Sequence, residues 1–248
     1  GGTTVAYVKE GLTYNSGTAI GQVSFTNIEN LYVQDSVGGS AEKLQLALTM
    51  TGTGIAMAGT SGNDTIDISA QSGYLGSQIW GQGGVDTITG GAAGDTIYGG
   101  AGADVITGGD GQDRMYGGAG ADDFKFVNQS EYGANQAASK HDWVYGFTTT
   151  SDELKFSGAN FTGVANADTI TKTTAADGDA TLVVRAGITD SGHANQRFLY
   201  NSTTGELFFD ADGSTADGLS PILIALLLNE AGDTPVSDLA TDDIDIIA

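Results

Sequence analysis

Between residues 59 and 127 the chain places one large apolar side chain at a fixed point in every nine residues. Ile88, Ile97, Ile106, Met115 and Phe124 recur at this interval, each two residues after an aspartate. Five blocks carry them without a gap: GQGGVDTIT from Gly81, GGAAGDTIY from Gly90, GGAGADVIT from Gly99, GGDGQDRMY from Gly108 and GGAGADDFK from Gly117. An earlier block, GTSGNDTID from Gly59, fits the same template through Asp64 and Ile66. Between them SGYLGSQIW, from Ser72, keeps Ile79 but has Ser77 in the aspartate position, and it follows an insertion from Ile68 to Gln71. One inward residue per repeat suits very short parallel strands that stack into a narrow core. Upstream the pattern changes to alternation. Leu44, Leu46, Leu48 and Met50 alternate with Gln45, Ala47 and Thr49, which predicts a half-buried strand, and the run from Val23 to Leu31 alternates in part.

The polar positions of the repeat say what else it does. Glycine lets the backbone reach unusual angles and approach closely, so a Gly-rich turn can aim several carbonyl oxygens at one spot. Aspartate adds carboxylate oxygen, and this mixture is the one a hard cation such as calcium prefers. If one coil takes two repeats, aspartates eighteen residues apart stack on one edge. Asp64, Asp86, Asp104 and Asp122 then share one edge, and Asp95 and Asp113 the other. Stacked carboxylates repel unless a cation lies between them. The pairs Asp64/Asp86, Asp86/Asp104, Asp104/Asp122 and Asp95/Asp113 predict four full sites, and partial end sites widen the expected range to about four to seven ions.

These blocks resemble the RTX (repeats-in-toxin) nonapeptide GGxGxDxUx. The resemblance implies an all-β fold: a right-handed parallel β-roll or β-helix with flanking β-strand regions and a sandwich-like C-terminal cap. It also implies calcium held between coils by the six repeat aspartates and by the turns containing Gly81, Gly83, Gly99, Gly100, Gly102, Gly108, Gly109, Gly111, Gly117, Gly118 and Gly120. Proteins of this kind are mostly exported from Gram-negative bacteria by type I secretion through an uncleaved C-terminal signal.

Three regions follow: a β-rich lead-in or cap over residues 1–58, the roll over 59–127, and a β-rich C-terminal region over 128–248. The segment FTNIENL, from Phe25, is similar to a phrase found upstream of RTX repeats. After the roll, the segment from His141 to Phe147 and then Asp152 to Ser157 resembles the family's post-roll sequence, and its aromatic residues are expected to cover the open end of the stack. Asp142 and Asp152 either complete a terminal calcium site or are ordinary turn carboxylates. The segment from Phe198 to Gly213 predicts a hairpin around Thr203, Thr204 and Gly205. Its DADG is not an EF-hand, because Phe208 and Leu219 stand where the first and twelfth ligands would be. Asp210 and Asp212 either bind calcium in another way or form an Asx-turn. The run Ile222 to Leu228 is expected to be a buried strand. The end of the sequence, from Asp242 to Ala248, resembles a type I export signal.

Composition narrows the function. The sequence has 31 acidic and 9 basic residues and a net charge of −22, which excludes nucleic acid as a partner. Cysteine is absent, so neither disulfides nor thiolate metal sites contribute. No run of about 18 apolar residues predicts a membrane span, and no signal peptide follows Gly1. The two histidines, His141 and His193, lie outside any HExxH helix, and neither a GxSxG elbow nor a GxxxxGK loop occurs. No enzyme is expected in these residues. Two classes remain. One is a calcium-folded structural and export module of a secreted surface protein, such as a surface-layer protein or adhesin. The other is the same module behind the catalytic domain of a secreted protease or lipase. Calcium and the type I secretion machinery are the expected partners, with a cell-surface polysaccharide or further copies of the chain as candidates, and the expected location is extracellular.

Overall fold

The computed structural model describes residues 5–9, 30–34, 45–47, 56–70, 76–128, 140–161, 172–173, 182–185, 196–211, 221–232 and 234–247. Leu44, Leu48, Met50, most of FTNIENL, residues 129–139, His193 and Asp212 lie outside this set.

Strands β1 (Val5–Lys9), β2 (Asn30–Gln34), β3 (Gln45–Ala47) and β4 (Ala56–Ala58) precede the repeats, and β5 (Thr65–Asp67) belongs to the block from Gly59. The later repeats form β6 (Gln78–Gly83), β7 (Thr87–Thr89), β8 (Thr96–Ala101), β9 (Val105–Thr107), β10 (Arg114–Ala119) and β11 (Asp123–Phe126). Beyond them lie β12 (Asp142–Tyr145), β13 (Glu153–Ser157), β14 (Lys172–Thr173), β15 (Leu182–Arg185), β16 (Phe198–Asn201), β17 (Glu206–Phe209), β18 (Ile222–Leu228) and β19 (Ile244–Ile247). Among the described residues there is no α-helix.

Successive repeats alternate between two sheets. One sheet runs β1-β2-β4-β6-β8-β10-β12-β18-β17-β16-β15-β14, and the other β19-β13-β11-β9-β7-β5-β3. Within the roll every pairing is parallel and keeps like positions together: Ile79 pairs with Ile97 and Ile97 with Met115, while Ile88 pairs with Ile106 and Ile106 with Phe124. This is the β-roll the repeat predicts, two repeats to a coil. The one-in-nine apolar position supplies the core. Ile66, Ile79, Ile88, Ile97, Ile106, Met115 and Phe124 are all fully buried, each stabilising the stack by about 1.5–3 kcal/mol relative to exposure.

Both sheets continue past residue 127 without a break. β12 pairs in parallel with β10, and β13 with β11. β18 then pairs in parallel with β12 and antiparallel with β17, and β19 pairs in parallel with β13. One hydrophobic cluster runs from Met57 to Ile246. The expected hairpin is β16–β17, closed at Gly205, whose positive φ of 78° lets its N–H reach the Asn201 carbonyl at 2.8 Å. The run Ile222–Leu228 is the strand expected. Of the aromatic residues of the post-roll segment, Phe147 and Phe156 cover the end of the roll as expected: both are buried, Phe147 with its ring 6.1 Å from Phe124 and Phe156 stacked on Phe126 at 4.9 Å. Strand alternation sends Val144 inward and leaves Trp143 and Tyr145 partly exposed on the outer face. There Tyr145 extends a column of stacked rings, Trp80–Tyr98–Tyr116–Tyr145, with centroid separations of 5.9, 4.6 and 4.5 Å. Trp143 lies under the Arg114 guanidinium at 4.5 Å. Beyond the post-roll strands the stack continues with β18 in one sheet and β19 in the other.

Candidate metal centre

Each repeat places its Gly-rich turn between a strand of one sheet and a strand of the other, with the aspartate at the end of the turn. Parallel stacking therefore brings aspartates of alternate repeats into line along each edge, and backbone hydrogen bonds show the order. The Asp64 N–H donates to Asp86 Oδ1 at 2.7 Å, Asp86 N–H to Asp104 Oδ1 at 2.8 Å, and Asp104 N–H to Asp122 Oδ1 at 2.9 Å. On the other edge Asp95 N–H donates to Asp113 Oδ1 at 2.7 Å. The two edges are those read from the eighteen-residue spacing. Ser77 takes the vacant aspartate position, its N–H donating to Asp95 Oδ1 at 2.5 Å.

Both columns extend past the repeats. Asp113 N–H donates to Asp142 Oδ1 at 2.9 Å, and Asp122 N–H to Asp152 Oδ1 at 3.1 Å. Asp142 and Asp152 are 2 % and 4 % exposed. They are thus neither solvated turn residues nor bystanders; they occupy the aspartate position of the following coil. Spacing alone hid this, because the steps to them are 29 and 30 residues instead of 18. By contrast Asp210, though buried, closes its strand through a main-chain bond, its N–H donating to the Arg197 carbonyl at 2.8 Å.

The second carboxylate oxygen matters most. Oδ2 of Asp86, Asp104, Asp113 and Asp122 is buried and has no hydrogen-bond partner. A buried acceptor left this way costs about 1–3 kcal/mol, and more when charged. These oxygens sit where the first glycine of the turn has no side chain. A Cβ added at Gly99 would lie 2.5 Å from Asp104 Oδ2 and 2.7 Å from the Gly117 carbonyl oxygen of the next coil. Gly81 is placed in the same way between Asp86 Oδ2 and the Gly99 carbonyl, and Gly90 between Asp95 Oδ2 and the Gly108 carbonyl. A carboxylate oxygen and a carbonyl oxygen from successive coils thus converge on a space that a methyl group would fill. Among the described residues no three His, Cys, Asp or Glu side chains come together as a metal cluster. The donor set is accordingly oxygen-only and rich in main-chain carbonyls, which suits calcium better than zinc.

The electrostatics agree. Burial raises the pKa of Asp86 to about 6, although the Asp64 N–H opposes it, and repulsion from Asp104 and Asp64 adds to it. Asp122 is raised to about 6 by burial and by Asp152, Asp104 and Asp123. Burial likewise raises Asp95, Asp104 and Asp113. These are carboxylates that resist ionisation in the bare protein and would ionise readily beside a cation.

Residues 77–95 and 89–124 match the family model for the RTX calcium-binding nonapeptide repeat, in four copies. The comparison with curated proteins gives no match.

Proposed function

We propose that this chain is the calcium-folded structural and export module of a secreted bacterial surface protein, such as a surface-layer protein or adhesin. The observation that carries the reading is the set of buried, unpartnered Oδ2 atoms in Asp86, Asp104, Asp113 and Asp122. Calcium, when bound, supplies the positive charge that these oxygens and the facing carbonyls lack. The protein's own contribution is alignment. Parallel strand pairing fixes the coils in register, main-chain N–H groups hold each Oδ1, and the absent glycine side chains leave room beside each Oδ2. At low free calcium the net charge of −22, the glycine entropy and the carboxylate columns all oppose folding. Outside the cell, calcium at millimolar levels fills sites of order 10⁻⁴–10⁻³ M and favours the native state because it binds only there.

The lead-in supports a surface protein over the C-terminal piece of a hydrolase. β1, β2 and β4 pair in parallel and continue the same sheet upstream of the repeats, the form of an extended spacer. The module carries no chemistry of its own on this reading. Its C-terminal residues, from Asp242 onward, would be read by the type I secretion machinery.

Far-UV circular dichroism tests the calcium step: little β-structure in chelator, and a cooperative gain as calcium is added. A spectrum indifferent to chelator would overturn it. Secretion by cells carrying a type I exporter tests the second step, and continued export after removal of residues 242–248 would refute it.

A further inference from the structure

Among the described residues the repeat turns that end in aspartate are of two kinds. In the turns beginning at Gly59 and Gly90, the N–H of the second residue donates to the turn's own aspartate. Thr60 N–H lies 2.5 Å from Asp64 Oδ2, and Gly91 N–H 2.7 Å from Asp95 Oδ2. The Thr60 hydroxyl adds contacts of 3.1 Å to both Asp64 oxygens. The turn that ends at Asp152 does the same, with Thr148 N–H at 2.8 Å from Asp152 Oδ2. In the other four turns this bond is missing, and those turns hold the four aspartates with an unpartnered Oδ2.

The backbone divides in the same way. In the Gly99 turn the second and fourth residues, Gly100 and Gly102, have φ of +117° and +140°. The Gly108 and Gly117 turns repeat this at Gly109 and Gly111 and at Gly118 and Gly120. The Gly81 turn does so at Gln82, φ +79°, and Gly84, φ +109°. None of Thr60, Gly62, Gly91 and Ala93 takes a positive φ. Rotation at the second residue turns its N–H away from the aspartate and leaves Oδ2 open. Side chains explain which turns can do this. A left-handed φ costs an L-residue about 1–2 kcal/mol, and Thr60 and Ala93 stand where the open turns mostly have glycine. Gln82 is the exception. Its strain is offset by a bond from its Nε2 to the Gly59 carbonyl at 2.6 Å, and strain held in place by its surroundings points to a functional requirement.

We propose that calcium is taken only by the open turns of Asp86, Asp104, Asp113 and Asp122, and that the turns of Asp64 and Asp95 are closed coils that stack without metal. This rests on the calcium reading above and changes its site list. Asp64 and Asp95 serve as hydrogen-bonded first members of their columns, Asp152 closes one column at its far end, and Ala93 is the residue that keeps the Gly90 turn shut.

Ion counting on the folded full chain, by native mass spectrometry and by equilibrium dialysis at saturating calcium, tests the division. The wild-type protein should hold four ions, one for each open oxygen. Asp104→Asn and Asp122→Asn should lower the count, and Asp64→Asn and Asp95→Asn should leave it unchanged. Ala93→Gly should raise it from four to five. Loss of an ion in Asp95→Asn, or a count that stays at four with glycine at position 93, would overturn the division while leaving the calcium reading intact. A wild-type chain that binds no calcium would refute the calcium reading itself.

Discussion

The repeat turns and the C-terminal strands keep one core continuous by different means. A repeat gives the core one side chain in nine residues and places a carboxylate beside it, out of water. The hairpin β16–β17 buries nearly every residue of both strands, and Phe156, Phe161, Phe198 and Phe209 meet there at centroid separations of 4.7–5.4 Å. The C-terminal region can therefore hold together by apolar burial. In the roll the apolar contribution is thin, and charge decides whether the stack forms. Where a sequence spaces its hydrophobic residues widely, neutralising buried charge becomes a condition of folding.

Four changes would break or sharpen that contrast, taken from the largest effect to the smallest. Phe209→Ala should destabilise the calcium-loaded protein by about 3–5 kcal/mol, the usual cost of emptying a buried phenylalanine site. Denaturant titration should show this loss with the number of bound ions unchanged, and a changed ion count would mean that the two regions are not separable. Asp104→Ala attacks the other side. It strands the Asp86 N–H, which should cost about 1–3 kcal/mol, and it removes an open oxygen, so the calcium midpoint for folding should rise. Neighbouring coils depend on each other, so the transition should also become less steep. Asp110→Asn, at an exposed carboxylate of the following repeat, should stay within about 0.5 kcal/mol of wild type. Equal calcium titrations for the position-104 and position-110 variants would show that the buried column is only solvated charge.

Acid should partly replace the cation. Asp86 and Asp122 have folded-state pKa values near 6 against an ordinary value of 3.8. A raised carboxyl pKa gives stability that is complete below the unfolded value and is lost as pH rises through the folded one. In chelator, β-structure should therefore grow as pH falls from 7 toward 4, while calcium affinity should fall over the same range because protons compete for the same oxygens. Circular dichroism in chelator at the two pH values reads this directly, and a chain equally unfolded at both would mean that buried charge is not what opposes folding. Apart from the Asp110 control, the smallest effect belongs to the outer face. Tyr116→Leu interrupts the ring column and should cost about 0.5–1.5 kcal/mol, with the calcium midpoint moving only by that amount.

Much of this was legible in the residues. The nine-residue period gave the coil, and its doubling gave both aspartate columns, because parallel stacking leaves no other register for Ile79 over Ile97 and Ile88 over Ile106. The sequence could not show where the columns end. Long excursions of 29 and 30 residues precede Asp142 and Asp152, and their place follows from pairing between β10 and β12 and between β11 and β13, which no local pattern encodes. The route β12-β18-β17-β16 was likewise hidden, since it depends on long-range pairing out of chain order. The two kinds of turn lie between these extremes. Thr60 and Ala93 are visible departures from the glycine template, but Gln82 departs as well and still adopts the open form. Only the bond from its side chain to Gly59 tells the three apart.

The ring column on the outer sheet has an optical consequence. Trp80 stands at one end of three stacked tyrosines, and Trp143 lies on β12, the strand that carries the last of them. Light absorbed by the tyrosines passes to tryptophan when the rings are this close and is re-emitted as tyrosine fluorescence when they are apart. The protein thus carries its own distance gauge across four successive coils of one sheet. The ratio of tryptophan to tyrosine emission will follow the closing of those coils one against the next, without any attached label.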